Sequence, residues 1–278
     1  MKLISQNYGK ARVRVLKVFR DGTTHTIKEL SAKVALDGDF EASYTQADNS
    51  LVVPTDTMKN TVNVLAHEHL GHDNEPFAQA LAGHFLRKYP QVKRVTVELD
   101  ERVWSRLSVG GRPHAHSFSQ TDRARPFTSL VLDANESRLE SGVRDYVILK
   151  STGSGFAAYP KCELTTLPET HDRILATSMS ARWLWSGEPV SFQAANAAIL
   201  QAMIVPFAEN YSPSVQATIW EMGGAALKAC PEISQITIAM PNLHCLLINL
   251  APFNRENRNE VFVPTDEPHG QIEATIAR

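Results

Sequence analysis

The sequence has little cysteine, with three among 278 residues. Cys162, Cys230 and Cys245 are odd in number, far apart, and outside any Cys-x-x-Cys spacing. A disulfide framework uses paired cysteines and a thiolate metal site uses closely spaced ones, so neither is indicated. This pattern is typical of a protein from a reducing compartment.

The sequence also lacks an excess of charge and any long apolar run. Its 28 Lys and Arg residues nearly balance 30 Asp and Glu residues, for a net charge of -2. Without a basic excess to attract a phosphate backbone, nucleic acid is not an expected partner. No apolar run approaches the roughly 20 residues of a membrane helix, so no membrane partner is expected either.

Targeting signals are missing from both ends of the sequence. Met1–Ser5 opens without the apolar stretch of a secretion signal. Ala274–Arg278 carries no Ser-Lys-Leu peroxisomal tripeptide. We therefore expect a cytoplasmic protein of bacterial origin.

Motifs for nucleotide cofactors are missing as well. No Gly-x-Gly-x-x-Gly follows a predicted strand. Lys150–Gly155 lacks the glycine that a Walker motif places directly before its Lys-Ser pair. The sequence therefore indicates neither a nucleotide site nor a dinucleotide cofactor.

Two histidine clusters invite a metal interpretation. His67, His69 and His72 do not have the four-residue spacing of the His-Glu-x-x-His zinc motif. His114 and His116 would share one face of a strand, without a nearby carboxylate or cysteine set. We interpret both clusters as surface groups and predict no metal site, which leaves incidental metal binding open.

Hydrophobic periodicity predicts an α+β fold built from two similar units, residues 1–125 and 126–278. In each unit, helices would cover one face of an antiparallel sheet. Asp21 and Gly22 provide turn chemistry for an opening hairpin. The predicted elements are strands at 11–18 and 29–36, helices at 58–66 and 75–89, strands at 92–99, 114–121, 128–133 and 143–150, helices at 192–208 and 215–229, and strands at 235–240 and 244–250.

The stretch Leu51–Thr61 joins a strand end to a helix start. Its β-rich run stops at Pro54, which blocks further ladder pairing. Thr55 and Asp56 follow, and such side chains often cap a helix. Two interpretations are open, a plain helix cap or an anion site at a strand end where backbone N–H groups are free.

Several other polar or aromatic residues occupy positions where a structural role would be sufficient. Gln216 lies at a predicted helix start whose backbone N–H groups point outward, and Phe156 follows a glycine-containing turn. Arg173 has a neighbouring carboxylate, while Asn242 and His244 lie at a strand boundary. Taken singly, none of these residues indicates a function.

Taken together, a series of motifs is far more specific than any single residue. The motifs are Tyr8-Gly9-Lys10, Ala47-Asp48-Asn49-Ser50, Thr55-Asp56, His116-Ser117-Phe118, Leu149-Lys150-Ser151-Thr152 leading to Phe156, Thr165-Thr166-Leu167-Pro168-Glu169-Thr170 leading to Asp172-Arg173-Ile174-Leu175, Tyr211-Ser212-Pro213-Ser214-Val215-Gln216, and Pro241-Asn242-Leu243-His244. In this order they resemble the urate oxidase (uricase) family almost from end to end. Pro54 departs from the alanine that is common before the Thr-Asp pair in that family.

This resemblance implies a tandem tunnelling fold (T-fold). It also implies a homotetramer with a barrel-like tunnel and active sites between subunits. The implied reaction is the cofactor-free oxidation of urate by O2 and water to 5-hydroxyisourate and hydrogen peroxide, in purine degradation towards allantoin. Urate and O2 would then be the small-molecule partners.

The resemblance assigns the binding roles residue by residue. Arg173 and Gln216 would grip the flat urate, because Arg offers a planar fork of donors and Gln offers both a donor and an acceptor. Phe156 would stack on the ring. The backbone of Val215 would add a hydrogen bond.

The same resemblance assigns the chemistry. Thr55 and Asp56 would reach in from the neighbouring subunit to bind the substrate, and Asn242 would hold O2 or water above the substrate plane. Lys10, Thr55 and His244 would form the proton relay, with His244 passing the proton of the attacking water. This scheme uses no metal and no organic cofactor.

Two other functional classes stay open. One is a zinc-dependent tunnelling-fold enzyme of pterin or purine metabolism, with His67, His69, His114 and His116 as candidate ligands. The other is a catalytically silent paralogue with a structural or binding role. The intact set of relay and binding residues argues against the second class.

Overall fold

The computed structural model describes residues 1–120 and 124–278, which form two compact units. Unit 1 comprises Met1–Gly142 and Leu184–Ala194, and unit 2 comprises Val143–Trp183 and Ala195–Arg278. These units are defined by packing within the chain, whereas the predicted boundary at residues 125 and 126 concerns a repeated order of elements. That boundary stays a prediction.

Unit 1 places helices against an antiparallel sheet with the strand order β1-β2-β3-β6. A separate antiparallel pair is formed by β4 and β5. The elements are β1 (Tyr8–Asp21), β2 (Thr24–Gly38), α1 (Glu41–Thr45), α2 (Thr55–His69), α3 (Glu75–Lys88), β3 (Val92–Arg102), β4 (Trp104–Val109), β5 (Arg112–Gln120), β6 (Arg125–Asp133) and the first part of β7 (Ser137–Lys150). The predicted opening hairpin is confirmed, with Gly22 in the left-handed region at its turn (φ 56°).

The core of unit 1 lies between its helices and its sheet. Phe77, Leu81 and Phe85 recur every fourth residue on α3 and are fully buried. Met58 and Val62 lie four residues apart on α2 and are also fully buried. Burying each such side chain stabilises the fold by about 1.5–3 kcal/mol, so this apolar stripe sets which face of α2 is buried and which residues its first turn exposes.

Unit 2 is a second combination of antiparallel strands and helices. Its pairs are β8 with β10, β10 with β11, and β9 with β12. The elements are the rest of β7, then β8 (Leu175–Trp185), α4 (Phe192–Glu209), α5 (Val215–Ala229), β9 (Ile233–Ala239), β10 (Asn242–Leu247), a short 3-10 turn (Ala251–Phe253), β11 (Phe262–Gly270) and β12 (Glu273–Ala277). Helix α5 has the bounds that the sequence predicts, and its buried face packs on β9 and β12.

Some elements differ from the sequence prediction. The structure adds α1, β4, β8, β11 and β12, and β10 begins at Asn242, which therefore opens a strand. The strand predicted over 114–121 is β5, and Thr121 lies outside the described residues. In the described ranges, no helix is both long and apolar enough to cross a membrane.

Candidate active site

Lys10 lies beside a bulge in β1. It pairs with Val34 on β2, and the register then shifts before Val13, which pairs with Ala32. Arg12 lies inside the bulge with a left-handed backbone (φ 57°). Residues three apart on a regular strand face opposite ways, and the extra residue therefore turns Lys10 to the same face as Val13.

Gly9 allows β1 to lie unusually close to β2 beside Lys10. A Cβ atom on Gly9 would lie 1.9 Å from the backbone oxygen of Val34. That distance is far below any van der Waals contact, so a side chain at this position would push the strands apart. The Tyr8-Gly9-Lys10 motif is thus explained partly by the packing of the two backbones.

Thr55 is the first residue of α2 and is exposed. The residue before the helix is Pro54, and no side chain caps the helix start. The interpretation of Thr55 and Asp56 as helix caps is therefore wrong, because Pro54 occupies the cap position and its carbonyl accepts from the N–H of Met58 at 3.1 Å. Across residues 1–120 and 124–278, the Thr55 hydroxyl has no hydrogen-bond partner.

Asp56 connects the start of α2 to Lys10. Its carboxylate accepts from Lys59 and, at 3.1 Å, from the side-chain amide of Asn60. The hydrogen bond and charge of Lys59 lower the pKa of Asp56, and the charge of Lys10 acts in the same direction. Lys10, Thr55 and Asp56 are therefore brought together within unit 1.

In unit 2, Arg173 is held where three backbone segments meet. Phe156 and Thr170 exchange backbone hydrogen bonds of 2.7 and 3.0 Å. The N–H of Arg173 donates to the oxygen of Ser154 at 2.8 Å, and Ser154 is bridged to Ser212. These bonds link the predicted stacking residue, the predicted arginine and the segment before α5.

The side chain of Arg173 has an unusual environment. Its guanidinium carbon lies 5.6 Å from the centre of the Phe156 ring. Burial lowers the pKa of Arg173, although an arginine remains charged in a protein. Its Nε is buried and has no hydrogen-bond partner among the described residues. An unpaired charged donor beside an aromatic face is suited to a flat, electron-rich ligand.

Helix α5 begins beside this cluster. Ser214 caps the helix by accepting from the N–H of Ala217 at 3.1 Å, and Thr218 donates to the hydroxyl of Ser212 at 2.8 Å. Val215 is buried, and Gln216 is exposed on the first turn. First-turn N–H groups have no partner inside a helix, so this end can bind an anion or a carbonyl oxygen.

Asn242 and His244 lie two residues apart on β10 and are half-buried. Asn242 pairs with Thr177 on β8 and with Gly270 on β11, whereas His244 pairs with Thr265. Thr177 has a buried hydroxyl without a hydrogen-bond partner in the described part of the chain. The sequence did not single out this threonine, since it lies within a strand that is otherwise mostly apolar.

Comparison with known proteins shows the family to which the chain belongs. The family model described as uricase matches residues 6–131 and 139–273. Uricase from Arthrobacter globiformis is 40% identical over 99% of this chain and 90% of its own length. The uricase of Cyberlindnera jadinii is 38% identical over 99% of this chain and 97% of its own length. The chain belongs to the uricase family.

Membership of the uricase family makes the chain an enzyme of the oxidoreductase class. The crystal structure of uricase from Arthrobacter globiformis has a TM-score of 0.94 and 39% identity, and the match covers 100% of this chain and 95% of that one. A urate oxidase mutant from Bacillus sp. TB-90 has a TM-score of 0.85 at 21% identity, an agreement that concerns the fold alone. The predicted α+β tunnelling fold is confirmed.

The residues predicted from the resemblance fall into two sets in this uricase-family chain. Lys10, Thr55 and Asp56 lie in unit 1. The other predicted residues lie in unit 2: Phe156, Arg173, Val215, Gln216, Asn242 and His244. Their assigned roles stay predictions, and the relay of Lys10, Thr55 and His244 takes residues from both units.

The histidine clusters are the candidate metal ligands in the sequence. The rings of His114 and His116 meet edge to face with centres 4.6 Å apart, and His25 lies 5.9 Å from His116. His69 lies 3.7 Å from the carboxylate of Glu68. Outside residues 121–123, no three His, Cys, Asp or Glu side chains are arranged to hold a metal ion.

Proposed function

We propose that the chain oxidises urate with O2 and water to 5-hydroxyisourate and hydrogen peroxide, without a metal or organic cofactor. One molecule each of urate, O2 and water gives one molecule of each product. The observation that carries the proposal is the half-buried Arg173, whose unpaired Nε lies beside the face of Phe156. A flat anion with several hydrogen-bond acceptors fits this arrangement.

Binding would use the groups around Arg173. The guanidinium of Arg173 and the amide of Gln216 would form hydrogen bonds with acceptor and donor groups on opposite sides of urate. Phe156 would stack on its ring, and the first N–H groups of α5 at Val215 would donate to a carbonyl oxygen or to a negatively charged group. The backbone bridge between Ser154 and Ser212 joins these segments and supports the proposal.

The chemistry would need proton transfer and positioning from the protein. Deprotonated urate is electron-rich enough to reduce O2 itself, so the site must remove protons and hold the reactants together. A threonine hydroxyl is a poor base unless a neighbour takes its proton, and Lys10 is the neighbour we assign to Thr55. Asn242 would hold O2 or water above the ring, and His244 would pass on the proton of the attacking water.

We further propose that the two sets of residues combine between neighbouring subunits of a homotetramer. Thr55 and Asp56 would enter the site from the adjacent subunit. Because Lys10 acts on Asp56 within one chain, Lys10 would enter with them. Asn242 and Arg173 would then belong to the subunit that holds the substrate.

The test is turnover by the purified chain in aerated buffer that contains a chelator. We expect loss of the ultraviolet absorbance of urate with matching formation of hydrogen peroxide. Peroxide without urate loss, or urate loss only after metal is restored, would contradict the proposal. Activity on a pterin-like substrate in the presence of zinc would instead identify the metal-dependent class.

A further inference from the structure

The side chain of Tyr8 is attached to the strand end that leads to Thr55. The Tyr8 hydroxyl accepts from the N–H of Val53 at 2.8 Å and donates to the oxygen of Val53 at 3.3 Å. Val53 is only 3% exposed, and Pro54 after it has no N–H to donate. One phenol therefore holds both backbone groups of the residue two positions before Thr55, an arrangement we name the Tyr8–Val53 clamp.

The ring of Tyr8 is itself fixed. It meets the ring of Phe40 edge to face, with centres 4.8 Å apart and planes at 88°. Phe40 is 1% exposed, so it provides a rigid wall. Burial raises the pKa of Tyr8, which keeps the hydroxyl protonated and able to donate at neutral pH.

The clamp and Lys10 share one stretch of β1. Tyr8 and Lys10 are two residues apart, and each is paired in the same register with β2, opposite Leu36 and Val34. Side chains two apart on a strand lie on one face. Gly9 fixes this stretch against β2, so the clamp ties the start of α2 to the strand that carries Lys10.

We propose that Tyr8 is a positioning residue, which acts through Val53 to hold Thr55 at the distance from Lys10 that proton transfer requires. This inference rests on the proposed function, since it concerns the Lys10 and Thr55 steps of the relay. It assigns a role to the first residue of the Tyr8-Gly9-Lys10 motif. The competing explanation is a tyrosine that only stabilises the core.

The test compares Tyr8→Phe with wild type, alone and combined with Thr55→Ala. Tyr8→Phe keeps the ring on Phe40 and removes only the hydroxyl. We expect kcat to fall by about ten- to a hundred-fold with a much smaller change in KM, because misplacement of a reacting group by about 1 Å has effects of this size. In the Thr55→Ala background, removal of the hydroxyl should change the rate by less than about twofold, because the two residues act as one unit.

Tyr44→Phe is the matched control, since the Tyr44 hydroxyl is exposed and donates to the oxygen of Asn7 at 3.4 Å. It should leave kcat unchanged. Amide hydrogen exchange gives a second readout: exchange over residues 53–57 should accelerate in Tyr8→Phe and not in Tyr44→Phe.

Three outcomes would overturn the inference. These are wild-type kcat in Tyr8→Phe, unchanged exchange over residues 53–57, or losses that multiply in the double variant. If the wild-type protein does not oxidise urate, that result would contradict the proposed function instead. In that case, faster exchange in Tyr8→Phe would still support a clamp on Thr55, and unchanged exchange would reject it.

Discussion

The predicted site residues of unit 1 and unit 2 differ in how their polar groups are satisfied. In unit 1, Asp56 is exposed and already pairs with Lys59 and Asn60. In unit 2, Arg173 is half-buried, and its Nε has no partner in the described ranges. A buried, unpaired donor costs free energy in the empty protein, whereas an exposed ion pair contributes little to stability.

From this difference we infer that the two sets of residues have different roles in the proposed reaction. The Arg173 cluster is held by backbone hydrogen bonds and is pre-organised for a ligand, as expected of groups that bind the substrate. The start of α2 keeps an exposed hydroxyl and free N–H groups next to Lys10, as expected of groups that move protons. Changes at Lys10 and Thr55 should therefore affect kcat first, and changes at Arg173 should affect KM first.

The largest expected effect comes from removing the relay groups of unit 1. Thr55→Ala and Lys10→Met should each lower kcat by about 10²–10⁴-fold, the range that general acid–base groups contribute. The oligomer should survive in both variants, as checked by size-exclusion chromatography beside the urate absorbance assay. Thr55→Ser keeps a hydroxyl and is the control, with a much smaller loss. A near wild-type rate in either main variant would contradict the relay.

The next effect concerns the donor geometry in unit 2. Arg173→Lys keeps the charge and removes the planar fork with its Nε, so KM for urate should rise about ten- to a hundred-fold, the equivalent of about 1.5–3 kcal/mol. Arg258→Lys, at an exposed ion pair of 3.1 Å with Glu256, is the matched control and should leave KM unchanged. Steady-state kinetics would reject this role for Arg173 if both variants bound urate equally well.

A smaller effect distinguishes the backbones of the two units. Gly9→Ala should lower the free energy of unfolding by about 1–3 kcal/mol, because its Cβ would meet the backbone of Val34. Gly224→Ala, in α5 with no atom within 4 Å of its Cβ, should raise that free energy by about 0.5–1 kcal/mol. Denaturant unfolding measures both changes, and equal effects would show that the close approach at Gly9 is relieved at little cost.

The smallest effect is a pH dependence in unit 1. Burial raises the pKa of Tyr8 above its ordinary value of 10.0, so its contribution to stability is fully present below that value and is lost as pH rises through the raised pKa. The difference in unfolding free energy between wild type and Tyr8→Phe should thus be constant from pH 7 to about 10 and should narrow above it. A difference that already changes near neutral pH would contradict this assignment.

Most of the fold could be predicted where one face of an element is polar. Helix α5 was predicted to the residue, because Ser214 caps its start and its apolar residues recur at helical spacing. Strand β8 was missed although buried residues alternate with less buried ones from Thr177 to Trp185, the period-2 pattern that marks a strand. Strand β11 was missed as well, because Pro264 and Pro268 cannot donate to a ladder and so argue against a strand.

The candidate site residues could be named from the sequence, whereas their contacts could not. Ordered motifs indicated residues such as Arg173 and Thr55, but no local pattern indicates that a tyrosine hydroxyl binds a backbone 45 positions away. The helix cap was misassigned because Pro54 supplies the carbonyl and the side chain of Asp56 turns to Lys59. Such choices depend on contacts between distant residues, which a sequence pattern does not record.

The bulge at Arg12 has a consequence for how this protein can change. Substitutions along β1 alter the site gradually, because the face that each residue occupies is preserved. Deletion of the one extra residue would restore regular pairing and leave β1 intact as a strand. It would also keep Lys10 and Val13 on one face, since they would then lie two positions apart in a regular strand. A single-codon deletion could thus remove the bulge without moving the lysine to the other face, so chains with and without the extra residue can carry the same site.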